Sequence, residues 1–240
     1  MPSAFHLSRR SFVLGSVSMT AALAGCTTTS QPSAVPAVAQ RPVGPPSEAE
    51  LQARYAAVED AGHKLPAIPY QQIDPKYYRQ RVIDPTGEKP GTVVVDTPNR
   101  FLYVTEPGGT AMRYGVGLGR DGFAWEGEGT VHWRQPWPRW KVPSDMIARQ
   151  PSLARYSVEN GGMDPGIKNP LGARALYIFQ NGQDTLYRLH GSPEWQSIGK
   201  ATSSGCVRLV NQDMMDLYTR VPYHARIVVY QGPLKAVSSV

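Results

Sequence analysis

Residues 91–104 read Gly-Thr-Val-Val-Val-Asp-Thr-Pro-Asn-Arg-Phe-Leu-Tyr-Val, and this stretch decides the fold class. Two short apolar runs, 92–96 and 101–104, flank the turn residues 97–99, a pattern typical of two strands joined by a tight connection. The same patterning predicts further strands at 112–118, 175–179, 185–190 and 225–230. Many short strands with few helices predict a mainly β domain, a sandwich or barrel, over residues 91–231.

Two helices are predicted within this domain. Residues 144–149 favour a short helix, and Asn211 is placed to cap a second one. In that second helix Met214, Leu217 and Val221 recur at helical spacing, so they should share one buried face.

The N-terminus has the features of an export signal rather than of a folded segment. Ser8-Arg9-Arg10-Ser11-Phe12-Val13-Leu14 has the twin-arginine pattern, and Leu23-Ala24-Gly25-Cys26 resembles a bacterial lipobox, in which the cysteine is lipidated. We therefore expect a signal over residues 1–26 and a protein anchored outside the cytoplasm by lipid at Cys26, with bacterial periplasm as the compartment. An ordinary cleaved signal with a chance cysteine is the alternative.

The next two segments connect this signal to the domain. Residues 27–46 carry five prolines and are predicted to be a disordered tether, because they cannot bury apolar surface. Residues 47–90 are predicted to be a helical and irregular approach segment, in which Ser47 and Glu50 form a capping-box pattern. Residues 232–240 are expected to be a tail.

Cys206 and His190 are the candidate catalytic residues. Cys206 stands sixteen residues after His190, and the other cysteine in the chain, Cys26, belongs to the signal. A thiolate is a nucleophile and a histidine is a suitable base, so the pair predicts cysteine acyl transfer. The alternatives are a buried, inert cysteine and a structural histidine bonded to backbone.

The residues around Cys206 predict the rest of the site. The backbone N–H groups of Ser204, Gly205 and Cys206 are the candidate donors to a tetrahedral oxyanion, with Ser203 as a supporting residue. Alternatively, Ser203 and Ser204 are simple turn residues. Arg208 is a candidate ligand for a substrate carboxylate, with a structural salt bridge to Asp213 as the alternative.

Composition excludes some functions. The net charge is +6, two units of which belong to Arg9 and Arg10, and the basic residues are scattered rather than striped, so we expect no nucleic-acid partner. The five histidines of the chain are scattered and one thiol is available, so metal-ligand spacing is lacking and we expect no metal. Acyl transfer through a thioester conserves the energy of the cleaved bond, so we expect no cofactor. The cluster Trp133–Trp140 either lines a groove for glycan or peptide or forms a rigid loop packed on the sheet.

The motif His190-Gly191 followed by Ser203-Ser204-Gly205-Cys206-Val207-Arg208 resembles the signature of L,D-transpeptidases of the YkuD type, which are cell-wall enzymes. Residues 169–177 and Ile198-Gly199 resemble family segments as well, and the resemblance covers residues 90–231. Ser204 stands where many members have histidine, and Trp125–Gly129 replaces a Thr-Pro-X-Gly motif that many relatives carry.

The resemblance implies a β-sandwich in which the backbone carbonyl of Gly191 orients the His190 ring. It implies a thioester between Cys206 and a peptidoglycan stem tetrapeptide, resolved by an amine of another stem, giving a 3–3 cross-link, or of an envelope protein. Two rivals keep the same fold: a carboxypeptidase or wall hydrolase with the same site, and a non-catalytic wall-binding lipoprotein.

Overall fold

The computed structural model describes residues 43–119, 125–203 and 206–234 of the 240-residue chain. The predicted signal with Cys26, most of the predicted tether, and Ser204 and Gly205 lie outside the described residues. Among the described residues, no helix has the length and hydrophobicity needed to span a bilayer.

The described residues form a mainly β structure, as the sequence predicts. The helices are α1 (Glu48–Arg54), α2 (Ser144–Arg149) and α3 (Asn211–Arg220). The strands are β1 (Val58–Asp60), β2 (His63–Leu65), β3 (Gln80–Ile83), β4 (Val93–Asp96), β5 (Phe101–Glu106), β6 (Thr110–Gly115), β7 (Leu118–Gly119), β8 (Gly127–Pro136), β9 (Arg174–Gln180), β10 (Gln183–Ser192), β11 (Ala201–Ser203), β12 (Val207–Val210) and β13 (Arg226–Tyr230). Short 3-10 turns lie at Tyr70–Gln72, Pro75–Tyr77, Pro151–Tyr156 and Trp195–Ser197.

Nine of these strands build one mixed sheet in the order β12-β10-β9-β8-β13-β4-β5-β6-β3. β10 runs parallel to β12 and β13 parallel to β4, whereas the other neighbours are antiparallel. The sheet curls so that its two ends approach each other. Gly117, just after β6, exchanges two backbone hydrogen bonds of 2.8 and 2.9 Å with Arg208 in β12. This near-closure gives the barrel-like character that the strand pattern predicts.

The main core lies between the curled sheet and α3. Because successive side chains on a strand point to opposite faces, each strand delivers alternate apolar residues to this core. The predicted helical face of α3 is confirmed, since Met214 and Leu217 are fully buried there. The strand residues buried in the core include Val93, Leu102, Tyr114, Val131, Leu176, Ile178, Leu189, Leu209 and Ile227.

Asn211 does not cap α3, contrary to the sequence prediction. The helix begins at Asn211, and its N-cap, Val210, makes no side-chain capping bond. The Asn211 amide instead accepts a hydrogen bond from the Ala173 N–H at 2.9 Å and donates to the Ser192 carbonyl at 3.3 Å. The Asn211 side chain is therefore bonded to the backbone just before β9 and at the end of β10, and it does not cap the helix.

The predicted approach segment packs into the domain. The predicted capping box is confirmed, since Ser47 Oγ accepts from the Glu50 N–H and Glu50 accepts from the Ser47 N–H. β3 pairs with β6 at one edge of the large sheet. Gly44, near the end of the predicted tether, donates its N–H to the Arg81 carbonyl at 3.1 Å. A second apolar cluster joins Leu51, Tyr55, Ile68, Tyr70, Ile73 and Tyr78 to Ile198 and Val210.

Candidate active site

Two neighbouring parallel strands bring the predicted catalytic residues together. On β10, His190 lies in register with Arg208 of β12, and Leu189 lies in register with Val207. Cys206 directly precedes Val207, so Cys206 and Arg208 flank a buried core residue. Because alternate residues share a face, Cys206 and Arg208 both lie on the side of the sheet that His190 occupies.

These three side chains line one cavity of about 260 Å³, which we call the active-site cavity. Its opposite wall comes from residues 140–153, in and around α2, and from the segment before β9. The lining residues are Trp140, Met146, Gln150, Leu153, Pro170, Leu171, His190, Glu194, Cys206 and Arg208. The cavity is therefore mostly apolar, with a few polar groups around the thiol, as small-molecule and peptide sites commonly are.

The His190 ring has a defined tautomer. His190 is 4% exposed, and its Nδ1 lies 2.6 Å from the Gly191 carbonyl oxygen. A carbonyl only accepts hydrogen bonds, so Nδ1 carries the proton and Nε2 keeps a lone pair. Burial, with the charges of Arg208 and Arg188, lowers the pKa of His190 to about 4, and the carbonyls of Gly191 and Pro170 oppose this shift. At neutral pH the ring is therefore an uncharged base.

Cys206 is held as a thiol at neutral pH. Burial raises the pKa of Cys206, and a backbone hydrogen bond at Arg188 together with the charges of Arg188 and Arg208 oppose that rise. A raised thiol pKa and a lowered imidazole pKa mean that both groups are neutral before reaction. A proton must therefore move from the thiol to a base for the sulfur to become nucleophilic.

The backbone behind His190 is closely packed. Gly172 has φ +61°, and a Cβ at this position would lie 2.2 Å from Asn211 Oδ1 and 2.6 Å from the Gly191 carbonyl carbon. A Cβ on Gly191 itself would lie 2.3 Å from the same Asn211 oxygen. Glycine is therefore required at both positions, and this contact holds the carbonyl that orients the histidine.

Asn169 places the segment that the family resemblance put near the site. The side chain is fully buried, and its Nδ2 donates to the carbonyls of Pro138 at 3.1 Å and Asp164 at 3.0 Å. Its Oδ1 accepts the Leu171 N–H at 2.9 Å. One amide thus joins three stretches of chain and sets the wall formed by Pro170 and Leu171.

Arg208 forms an ion pair, but with a different residue from the one considered from sequence. Its Nη1 lies 2.6 Å from Glu194 Oε2 at the cavity. The predicted salt bridge between Arg208 and Asp213 is wrong, because Asp213 lies on α3, 3.5 Å from Arg79 Nε. Whether Arg208 binds a substrate carboxylate stays a prediction.

The cluster Trp133–Trp140 is divided among different environments. Its first four residues complete β8, so the interpretation of the whole stretch as one loop is wrong. Trp133 is largely exposed, whereas Trp137 is buried and its Nε1 donates to Asp60 Oδ2 at 2.6 Å. Trp140 lines the active-site cavity.

Three site residues were missed by sequence reasoning. Arg188 stands two residues before His190 on β10, and its charge acts on both His190 and Cys206. Because alternate residues of a strand share a face, the position of Arg188 two residues before His190 was the signal that could have identified it. Glu194 and Met146 reach the cavity from a turn and from α2, and nothing local in their sequence marks them.

The remaining predictions have partial or no structural outcome. Ser203 ends β11, where it pairs with Gly119 of β7, and Ser204 and Gly205 lie outside the described residues. The oxyanion site therefore stays a prediction. Across residues 43–119, 125–203 and 206–234, no group of three or more His, Cys, Asp or Glu side chains could hold a metal ion.

Comparison with known proteins gives a family match. Residues 90–229 match the model of the YkuD L,D-transpeptidase catalytic domain. The probable L,D-transpeptidase ErfK/SrfK of Escherichia coli K12 is 29% identical over 160 residues, which are 65% of this chain and 49% of that protein. The probable L,D-transpeptidase YbiS of the same organism is 28% identical over 167 residues, 66% of this chain and 50% of that protein. The chain spans about half the length of these curated relatives.

Solved structures are similar over part of the chain. A probable carnitine operon oxidoreductase from Brucella melitensis is 44% identical, covers 64% of this chain and 94% of its own, and has a TM-score of 0.46. An L,D-transpeptidase from Xylanimonas cellulosilytica is 18% identical, covers 75% of this chain and 77% of its own, and has a TM-score of 0.41.

Proposed function

Because the chain belongs to the L,D-transpeptidase family, whose catalytic-domain model its residues 90–229 match, we propose that it is a peptidoglycan L,D-transpeptidase with Cys206 as its nucleophile. The observation that carries the proposal is the pairing of an uncharged His190, with Nε2 as acceptor, and the Cys206 thiol at one cavity. The fold alone would not justify this conclusion, since one fold serves many functions.

The first half-reaction is acylation. His190 Nε2 takes the thiol proton as Cys206 Sγ attacks the carbonyl carbon of the third residue of a stem tetrapeptide, at the L-centre of a diamino acid. The C–N bond to the terminal D-residue breaks, and the imidazolium returns the proton to the leaving amine. The products are a thioester on Cys206 and a D-amino acid, and His190 is again neutral.

The second half-reaction transfers the acyl group. An amine attacks the thioester carbonyl and loses a proton to His190 Nε2, the C–S bond breaks, and the thiol regains its proton. An amine from another stem makes a 3–3 cross-link, and an amine from an envelope protein anchors that protein to the wall. The thioester conserves the energy of the cleaved bond, so this chemistry requires no cofactor.

The oxyanion of both tetrahedral intermediates needs donors. We assign this role to the backbone N–H groups of Ser204, Gly205 and Cys206, with Ser203 as a supporting residue. Donors of this kind commonly stabilise a transition state by about 3 kcal/mol each.

The proposed place of action is the bacterial envelope. The twin-arginine pattern and Leu23-Ala24-Gly25-Cys26 support export and a lipid anchor at Cys26, with the periplasm as compartment. Labelling cells with a radioactive fatty acid checks this: the label should appear on the protein and disappear in Cys26→Ser.

The deciding experiment is mass spectrometry on the full chain in detergent, incubated with disaccharide-tetrapeptide, with Cys206→Ala as control. A cross-linked dimer and released D-alanine, both lost in the variant, support transpeptidation. Tripeptide without dimer would instead indicate a carboxypeptidase or an enzyme that needs a protein acceptor. No turnover and no acyl adduct on Cys206 would leave a non-catalytic wall-binding protein.

A further inference from the structure

A second cavity, of about 480 Å³, lies at the turn that follows Glu194. One wall comes from the 3-10 turn Trp195–Ser197 and the residues after it, and the other from the 3-10 turn Pro75–Tyr77 and the residues before it. We call this cavity the Trp195 groove. Glu194 lines the active-site cavity and the next residue, Trp195, lines the groove, so the two cavities adjoin the same turn. No residue of the groove takes part in the proposed acyl transfer.

Two aromatic side chains form the walls of the groove. Trp195 and Tyr77 are partly buried, because each packs against the second apolar cluster and also borders the groove. Tyr77 is supported closely from behind: a Cβ on Gly115 would lie 2.4 Å from the Tyr77 Cβ, and a Cβ on Gly199 would lie 2.2 Å from the Tyr77 Cε2. The ring therefore needs glycine at both positions, which keeps this wall in place.

Polar side chains surround the aromatic walls. Gln72 and Gln196 are exposed amides that both donate and accept hydrogen bonds, and Asp74 is an exposed carboxylate that accepts them. Asp74 pairs with Lys76 at 3.2 Å, and Lys200 adds another donor at the rim. The groove thus combines flat apolar faces with donors and acceptors and has little net charge.

Lys76 is the side chain that a ligand on Tyr77 would displace. Its ammonium lies 4.9 Å from the centroid of the Tyr77 ring, and its side chain is 57% exposed. Exposed cation–π contacts and exposed ion pairs both contribute little stability, so a neutral ligand can take this place at small cost.

This combination fits a neutral sugar chain better than a peptide or a polyanion. A sugar ring has C–H faces that pack on aromatic rings, and its hydroxyl and acetamido groups need donors and acceptors around the edge. The described lining residues lie in turns rather than in strands, so the groove offers no sheet edge to which a peptide could add as a strand. A polyanion would need a cluster of cations without the carboxylate of Asp74.

We propose that the Trp195 groove binds a chain of N-acetylated sugars, the glycan strand of the wall, with sugar rings stacked on Trp195 and Tyr77. The identity of the polymer rests on the proposed function, whereas the groove itself would hold such a chain without any stem peptide. Gln72 and Gln196 bind the polar edges of the sugars. Because the groove and the active-site cavity adjoin one turn, a strand held here raises the local concentration of its stems near Cys206.

The test uses a glycan without peptide, so it does not depend on turnover. The full chain, in a detergent without a sugar headgroup, is titrated with chitohexaose, a β-linked hexamer of N-acetylglucosamine, and binding is measured by calorimetry. Trp195→Ala should weaken binding at least about tenfold, because it removes a stacking face. Trp133→Ala is the matched control: Trp133 is 56% exposed on β8 and does not line the groove, so its loss should leave the affinity unchanged.

Gln196→Ala is a second variant, needed because Trp195 also packs on the second apolar cluster. Gln196 is exposed, so its loss should weaken binding about threefold while thermal unfolding stays as in the wild type. The inference is overturned by a wild-type chain that does not bind chitohexaose. It is also overturned by an equal loss in Trp133→Ala, or by unchanged affinity in both groove variants.

Cys206→Ala separates this inference from the proposed function. The variant should bind chitohexaose as tightly as the wild type, and a loss of binding would place the sugar at the active-site cavity and overturn the inference. Turnover of disaccharide-tetrapeptide without chitohexaose binding would sink this inference alone. Chitohexaose binding by a wild-type chain that turns over no stem peptide would sink the proposed function alone.

Discussion

The active-site cavity and the contacts around Arg79 both contain ionisable groups that are removed from water. In the cavity these groups border open space, whereas around Arg79 they contact one another. In the cavity, His190 and Cys206 face open space that a substrate can fill. Away from the cavity, Arg79 lies 3.5 Å from Asp213 and 3.2 Å from Asp216, both on α3, and we call this set the Arg79 network. Its polar atoms face one another.

The desolvation of the buried ionisable groups is compensated differently in the two regions. In the Arg79 network, Tyr55 and Tyr114 donate hydroxyl hydrogen bonds to Asp213 and Asp216 at 3.3 and 2.5 Å. Burial still raises the pKa of Asp213 to about 6, although the Arg79 charge opposes it. In the cavity, burial and the charges of Arg208 and Arg188 lower the pKa of His190, so the ring stays neutral. Removing one partner from a buried ion pair leaves an uncompensated charge and destabilises the fold, whereas buried groups left neutral beside open space are typical of reactive sites.

The largest effect is expected for Cys206→Ala, which tests whether the cavity serves function rather than stability. Removing the proposed nucleophile should lower D-alanine release from a tetrapeptide by about 10³-fold or more. The free energy of unfolding should change by less than about 1 kcal/mol, because the thiol lies at a cavity wall rather than within the core. Product quantification and urea denaturation measure the two effects. Retained turnover, or a loss of several kcal/mol, would contradict the assignment of this region to function.

Arg79→Ala tests the opposite region. It leaves Asp213 and Asp216 buried without their shared cation, so we expect a loss of about 3–5 kcal/mol in the free energy of unfolding. Arg226→Ala is the matched control, since Arg226 pairs with Glu88 and Glu128 at the surface, where about 1 kcal/mol or less is expected. Similar losses in both variants would show that the Arg79 network is not a special element of stability.

The pH dependence of stability separates the buried histidine from the network. The folded pKa of His190, about 4, lies below the ordinary value of 6.5, so between these values the unfolded chain binds more protons. Stability should therefore fall as pH decreases from about 6.5 to 4, by about 3 kcal/mol from this group. Urea titrations of wild type and His190→Gln measure it. An equal acid loss in both proteins would mean that His190 is not buried as a neutral base.

The smallest expected effect concerns the support of the site. Gly172→Ala should cost about 2 kcal/mol, because the new Cβ meets Asn211 and the Gly191 backbone, and it should lower kcat/KM about tenfold by displacing the His190 ring. Gly182→Ala is the control, with φ +77° but nothing within 4 Å of its Cβ, so it should lose about 1 kcal/mol and no activity. Equal kcat/KM in the two variants would remove Gly172 from the support of the site.

Much of the fold was predictable because its signals are local. The strands at 93–96 and 101–106, the helix at 144–149 and the capping box at Ser47 follow from alternation and from residue chemistry over a few positions. The proposed catalytic pair was equally visible, since the motif singled out His190 and Cys206 before β10 and β12 were known to be neighbours.

Some predictions failed where tertiary partners outweighed local preference. Asn211 has the chemistry of a cap, yet its amide bonds to Ala173 and Ser192, because the close approach of β9, β10 and α3 places those groups beside it. Arg208 has Asp213 nearby in sequence, yet Glu194 is its partner, because Asp213 lies in the first turn of α3 and pairs with Arg79.

The sequence by itself determined that this is a mainly β domain with a cysteine and a histidine in a family-type motif, because periodicity and motif spacing act between residues close along the chain. Only the tertiary structure decided the parallel pairing of β10 with β12 and the ion pair between Arg208 and Glu194 at the cavity. These depend on distances between residues far apart in the chain, and those distances exist only once the sheet has curled and α3 has packed against it.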